Sequence, residues 1–323
     1  MTTFQTNPSS LNKPNPAVSV IIPAYKVAAF IRETLDSVFA QSFTDHEVIV
    51  INDESPDTVE LESQIEKYGD AIIYIKQTNQ GAGAARNAGL RIARGDYIAF
   101  LDGDDVWLPY FLTEQIRLIQ SDSGYDLVYA DAVNFGDSDN RTSMETNPSH
   151  GEVTLEKLLC GECNIITSTV LARREPVMRV GCFDESIVNS QDFDLWLRLM
   201  KDARIKVTYQ RRVLIRRRIH QGSLASDPVK SLEGELRVLE KVSRRSDLTA
   251  TERATIERTV PLRRATADVI RGKQFLASGD FVSSASAFRS AQEYLHSWKL
   301  GLVLAGMRTA PQLLRYFVKT RLT

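Results

Sequence analysis

The chain is poor in cysteine, with Cys160, Cys163 and Cys182 the only three among 323 residues. Two of them form Cys160-Gly-Glu-Cys163. A structural zinc site takes four Cys or His ligands, and no second pair stands at a suitable spacing. The context is not that of a redox C-x-x-C, so reduced, partly buried thiols are expected. No run of eighteen apolar residues occurs, so no spanning helix is expected. Residues 1–16 lack the basic, apolar and small-residue order of a signal peptide. They are polar and read as a disordered lead, and the chain reads as cytoplasmic. The dinucleotide fingerprint G-x-G-x-x-G is also missing, since Asn79-Gln-Gly-Ala-Gly83 follows the third predicted strand and lacks that spacing. No nucleic-acid-binding motif accompanies the basic residues, which argues against a nucleic-acid partner.

Charge and apolar content are both ample. The hydrophobic fraction of 43% suffices for one large core with an appendage, or for two domains. The formal net charge of −1 hides an asymmetry. Residues 1–200 hold 15 Lys+Arg against 30 Asp+Glu, a balance of −15, whereas residues 201–323 hold 25 against 11, a balance of +14. An acidic first part suits a metal site. A basic last part suits an anionic partner such as a diphosphate, a lipid headgroup or a membrane surface. Solvated helix faces account for some of the basic excess without any function.

Periodicity sets the order of elements. Val18–Ala24, Glu47–Asn52, Ala71–Lys76 and Tyr97–Leu101 read as buried strands. They alternate with helical spacing over 27–40, 57–68 and 81–93. This alternation predicts an α/β domain with a mostly parallel, Rossmann-like sheet covered on both faces. Further strands are expected over 126–135, 165–171 and 205–215, an exposed loop over 136–150, and a helix over 192–201. From about Pro228 the pattern is entirely helical, with a break at Gly279-Asp280 and a last helix from Pro311. Domains are therefore expected at 17–227 and 228–323. Arg271 to Trp298 has the look of one tetratricopeptide-like helix pair, although small-residue packing between ordinary helices gives the same pattern. Leu300 to Leu322 mixes apolar and basic residues and suits either a membrane surface or a terminal helix pair packed on a core.

Parallel sheets bind ligands at the carboxyl ends of their strands. The strand Tyr97–Leu101 ends on Asp102-Gly103-Asp104-Asp105. Carboxylates this close repel one another unless a cation sits among them or they serve as turn and cap residues. Hard divalent ions such as Mg²⁺ or Mn²⁺ bridge such carboxylates to substrate phosphates. Pro23-Ala24-Tyr25 and Asp53 fall at other strand carboxyl ends and so converge on the same crevice.

Taken together, these motifs resemble glycosyltransferase family 2, the inverting nucleotide-sugar transferases of GT-A fold. The resemblance spans roughly 17–225 and rests on order and spacing. Its signs are Val18-Ser-Val-Ile-Ile-Pro-Ala-Tyr25, Val50-Ile-Asn-Asp53-Glu-Ser55, Asn79 through Gly89, Phe100 through Asp105, Gly181-Cys-Phe-Asp-Glu185, Gln191 through Arg198, and Arg218-Ile-His220. It implies that Pro23, Ala24 and Tyr25 line a nucleoside pocket, with Asp53 accepting hydrogen bonds from the base. Gly81 and Gly83 would open a helix whose N-terminus favours an anion, with Arg86 adding charge. Asp102-Gly103-Asp104 would be the D-x-D, with Asp104 ligating Mn²⁺ or Mg²⁺ and Asp102 meeting ribose or the metal. Asp192 would be the catalytic base. His220 would complete the metal shell or meet phosphate, and Arg217 or Arg218 would neutralise charge, with the loop beyond folding over the diphosphate. The chain departs from the family's usual Glu-Asp pair, because Gln191 stands where Glu is common.

The expected activity is metal-dependent, inverting transfer from a nucleotide-activated sugar, UDP being the commonest donor nucleotide in the family. The acceptor would be a hydroxyl of a glycan or lipid-linked carrier in cell-surface polysaccharide synthesis, with peripheral membrane contact through the basic C-terminal region. The alternative is a non-catalytic nucleotide-sugar-binding scaffold that recruits partners through its helices. A nucleotidyltransferase ranks lower, because no Gly-rich basic loop follows the first strand.

Overall fold

The computed structural model describes residues 3–5, 15–121, 124–138, 140–223 and 227–322. They fall into two compact units, Met1–Ser226 and Asp227–Thr323. The first unit is built on a nine-stranded sheet of order β1-β4-β3-β2-β5-β8-β7-β9-β6. Its strands are β1 (Thr3–Gln5), β2 (Val18–Ala24), β3 (His46–Asp53), β4 (Ile72–Gln77), β5 (Tyr97–Phe100), β6 (Val106–Trp107), β7 (Leu127–Gly136), β8 (Val170–Arg173) and β9 (Val207–Ile219).

Strands β4, β3, β2 and β5 run parallel, as their continuous apolar runs predict. The mostly parallel sheet does not extend further. The β5–β8, β7–β8, β6–β9 and β1–β4 pairs are antiparallel, and β7–β9 is parallel. The mixed half escapes the sequence pattern because apolar periodicity reports burial and carries no information on strand direction. The lead expected to be disordered contributes β1, which pairs with the outer edge of β4 and so covers an edge that would otherwise be open. Residues 6–14 of that lead lie outside the described residues.

The helices between the parallel strands are α1 (Ile31–Phe39), α2 (Thr58–Ile65) and α3 (Ala82–Ile92). α3 is made of small residues for a steric reason: a Cβ on Gly89 would lie 2.6 Å from Ile21 Cγ2 and 3.1 Å from Ile51 Cδ1. Ala84, Ala85, Ala88 and Leu90 of the same helix are buried. α4 (Phe111–Ile119) follows the acidic turn and is preceded by Tyr110 as its N-cap residue. Asp104 and Asp105 therefore do not cap it. α5 (Ser143–Thr146) lies in the stretch expected to be an exposed loop, and α6 (Leu155–Cys160) and α7 (Arg174–Arg179) are further short helices. The expected strand over 165–171 begins instead as a 3-10 turn at Thr167–Thr169. α8 (Gln191–Met200) follows Ser190, whose φ of 64° is left-handed.

The second unit consists of α9 (Pro228–Ser243), α10 (Ala250–Ser278), α11 (Phe281–Leu295), α12 (Trp298–Thr309) and α13 (Pro311–Leu322). α10 ends on Gly279 at φ 93°, and Asp280 caps α11 by accepting from Ser283 N at 3.0 Å. Leu276, Phe288 and Met307 form its core, and Gly272 packs against the Phe288 ring so closely that a Cβ would meet Phe288 Cε1 at 2.6 Å. At 29 residues, α10 is much longer than a tetratricopeptide helix. Among the described residues no helix is long and apolar enough to cross a membrane.

Candidate active site

The parallel half of the sheet brings the ends of β2, β3, β4 and β5 to one edge, and the side chains there are tied to each other across elements. Two non-glycine residues with left-handed backbone stand at this edge, Lys26 at φ 58° and Glu54 at φ 49°. Such strain persists only when the surroundings enforce it. Here Lys26 N donates to Ser55 Oγ at 2.6 Å and Ala28 N donates to Asp57 Oδ2 at 3.0 Å, which fixes the turn after β2 against the turn after β3. Pro23 and Ala24 end β2, and Tyr25 stands exposed at the rim.

Asp53 is buried at the end of β3. Its Oδ1 accepts from Gln77 Nε2 at 2.8 Å and Gln80 N at 3.0 Å, and its Oδ2 accepts from Gly81 N at 2.8 Å. The carboxylate thus sets the path of the loop into α3, and Oδ2 has a lone pair left for a further donor. Gly81 adopts φ 89°, which suits glycine there. Gly83 faces α8 closely: a Cβ would meet Gln191 Cγ at 3.4 Å and Phe183 Cβ at 3.6 Å.

Arg86 does not present its charge to open solvent. Its side chain is 6% exposed, and Nη2 donates to Asp102 Oδ1 at 2.6 Å. With its amide oxygen toward Arg86, Gln191 accepts from Nη1 at 3.1 Å and donates to Val188 O at 3.1 Å. Arg86 therefore links the acidic turn after β5 to the first turn of α8. A Glu at position 191 would give this guanidinium a second carboxylate, whereas the amide holds it without adding charge.

The acidic turn closes through Asp105 N donating to Asp102 O at 3.0 Å. Gly103 is required by space, since a Cβ would lie 2.9 Å from Val27 Cγ2 and 3.1 Å from Pro23 O. Burial, then the charge of Asp102, raises the Asp104 carboxyl above the usual carboxylate range. Burial, then Asp104 and Asp102, raises Asp105 further. Asp105 is braced by the structure itself, accepting from Arg218 N at 2.9 Å. β6 follows the turn and pairs with β9, which brings Arg218 and His220 to it. Arg218 Nε donates to Asp104 O at 3.0 Å, and its guanidinium pairs with Glu33 between the Phe30 and Phe135 rings, 4.7 and 4.4 Å from their centroids.

His220 Nε2 lies 3.0 Å from Asp104 Oδ2, and its Nδ1 accepts from Gly222 N at 3.2 Å. That second bond puts the ring proton on Nε2, so the imidazole donates to Asp104. Among the described residues no group of three or more His, Cys, Asp or Glu is arranged to hold a metal ion. The donor chemistry nevertheless fits a hard divalent cation. Asp104 and Asp102 supply oxygen ligands whose mutual repulsion a cation would relieve, and diphosphate oxygens and water commonly fill the remaining positions. His220 would join by moving its proton to Nδ1 and giving up the Gly222 bond. Residues 224–226 of the loop beyond lie outside the described residues.

Asp192 sits in the first turn of α8 and is half-buried. Thr167 Oγ1 donates to its Oδ2 at 2.7 Å, and Phe193 N donates to its Oδ1 at 2.9 Å. Thr167 and Ser168 are contributors that periodicity passed over. Ser168 Oγ accepts from Asp102 N at 3.1 Å and also hydrogen-bonds Asp105. Their signal was a fully polar Thr-Ser-Thr set inside an apolar run, all three residues buried. The cysteines stand apart from this chemistry: none of the three is in a disulfide, and burial pushes the Cys163 thiol up to about 12.

The family model described as Glycosyl transferase family 2 matches residues 19–181. An uncharacterized glycosyltransferase of Rickettsia typhi is 32% identical over 69% of this chain and 70% of its own length. The Escherichia coli protein named UDP-Glc:alpha-D-GlcNAc-diphosphoundecaprenol beta-1,3-glucosyltransferase WfaP is 30% identical over 70% of this chain and 86% of its own. In fold, the chain is similar to the mannosyltransferase PcManGT from Pyrobaculum calidifontis, solved in complex with GDP-Man and Mn²⁺. The TM-score is 0.62 at 17% identity, over 96% of this chain and 89% of that one. The chain belongs to glycosyltransferase family 2 and is an enzyme, a glycosyltransferase that works from a nucleotide-sugar donor.

Proposed function

We propose that this enzyme transfers a sugar from a UDP-sugar, with inversion, to a hydroxyl of a glycan or lipid-linked acceptor during cell-surface polysaccharide synthesis. The observation that carries the reading is the pairing of Asp104, at the end of β5, with His220, at the end of β9, beside the Arg86–Asp102 pair. In this reading Pro23, Ala24 and Tyr25 border the nucleoside, and the spare lone pair on Asp53 Oδ2 takes an N–H of the base. Asp102, Gly103 and Gly83 border the ribose and diphosphate, and Arg218 keeps the acidic turn in place. A divalent cation held by Asp104, with Asp102 and His220, would offset the charge that develops on the departing diphosphate. Asp192 takes the proton of the acceptor hydroxyl as its oxygen attacks the anomeric carbon opposite the leaving group. Thr167 and the Phe193 N–H hold that carboxylate in one orientation, and each of its oxygens keeps a lone pair for the incoming proton. The acceptor assignment draws on the printed name of WfaP, whose acceptor is a diphosphoundecaprenol-linked sugar. With such an acceptor the enzyme would work at the inner face of a membrane, reached through its basic C-terminal region.

The test is Asp192→Asn. It is expected to lower transfer by about 10²–10⁴-fold while nucleotide affinity changes little, measured by product formation and calorimetry on the same preparation. Unchanged turnover would remove Asp192 from the base role.

A further inference from the structure

The second unit carries an apolar surface that its own core does not use. On α12, Leu300, Val303, Leu304 and Met307 pack with Leu276 and Phe288. The opposite face presents Trp298 at 71% exposure and Leu302 at 63%, one turn apart, and α13 adds Leu313 at 57% and Tyr316 at 65%. Helices with a satisfied inner face need no large apolar groups outside, so a cluster of them marks an interaction surface. We propose that the outer faces of α12 and α13 dock on a bilayer rich in anionic lipid.

Charge decides among occupants. From Tyr294 to Thr323 the chain has five Lys+Arg and no Asp or Glu, in a protein with 41 acidic residues. Lys299 and Arg308 are exposed on α12 with the apolar pair. A second copy of this segment would bring like charge against like charge. A headgroup layer supplies negative charge beside an apolar boundary, and Trp and Tyr favour that boundary. Each helix has 12 residues, about 18 Å, and so suits lying in the interface. Arg315 steadies the arrangement by donating from Nε to Ala277 O at 3.2 Å, which fastens α13 to the end of α10. This deepens the membrane part of the proposed function and rests on that part alone.

The chain offers a built-in probe. Trp107 and Trp196 are 2% and 1% exposed, so changes at a surface are reported by Trp298. The full chain is titrated with phosphatidylglycerol–phosphatidylcholine vesicles and with phosphatidylcholine alone, following Trp emission, quencher access and co-sedimentation. The expected result is a blue shift, protection from quencher and co-sedimentation with anionic vesicles only, reversed by high salt. The Trp298→Ser/Leu302→Ser and Lys299→Gln/Arg308→Gln pairs are each expected to weaken co-sedimentation about tenfold. These positions are exposed, so far-ultraviolet circular dichroism should stay unchanged. Absence of binding, or binding unchanged in both pairs, overturns the proposal. So does a lipid-independent blue shift accompanied by a dimer mass, which would assign the surface to a second copy. Nucleotide affinity measured without vesicles reports on the transfer site separately.

Discussion

Arg86 has two oxygens on its guanidinium, one from Asp102 and one from Gln191, and it is the only cation those two residues share at that point among the described contacts. Buried charge is tolerated when it is paired and hydrogen-bonded, and it becomes costly when one partner is removed. Gln191→Leu would strip Nη1 and Val188 O of their partners at once. It is expected to lower stability by about 1–3 kcal/mol, measured by urea denaturation, and to weaken nucleotide binding because Asp102 is no longer held through Arg86. Unchanged stability would mean that Arg86 finds another acceptor. The candidate residues were legible by position: Asp53, Asp102, Asp104, Asp192 and His220 all stand at ends of elements that periodicity located. Their partners were not. Asp53 accepts from the loop into α3, and Arg86 faces Asp102, because side-chain pairing depends on which strands become neighbours. Thr167 and Ser168 were hidden for the same reason, since a buried polar triplet gives no sign of whom it will serve.

Among the elements, α3 shows most directly how packing positions chemistry. Its N-terminus receives the loop fixed by Asp53, its middle carries Arg86, and its end rests on Ile21 and Ile51 at Gly89. Gly89→Ala would force α3 away from β2 and β3, at a cost of about 1–3 kcal/mol. Displacing the helix also moves Arg86, so nucleotide affinity should fall along with the melting temperature. An unchanged melting temperature would show that Ile21 can yield. The apolar runs of β2 to β5 identified the parallel half correctly because each strand there is buried on both faces. The antiparallel half was misread in direction, and two-residue β6 is too short for any periodic signal. Yet β6 is the strand that joins the acidic turn to β9 and so brings His220 to Asp104.

At the scale of the whole molecule, the chain falls into two compact units. The candidate site residues from Pro23 to His220 belong to the first unit, while Phe288, Leu276 and Met307 form the core of the second. Phe288→Ala is therefore expected to destabilise the helical unit by about 3–5 kcal/mol. Scanning calorimetry should show that change, and nucleotide affinity below the transition should be retained. Loss of affinity in this variant would mean that the two units do not act independently.

The most direct measurement is calorimetric binding of UDP, GDP, dTDP and CDP to the full chain, with and without Mn²⁺, beside the Asp104→Ala variant. Binding of one nucleotide, UDP, that needs the metal and is lost in the variant is the expected result. Binding that is indifferent to both metal and Asp104, or no binding by the folded protein, would contradict it.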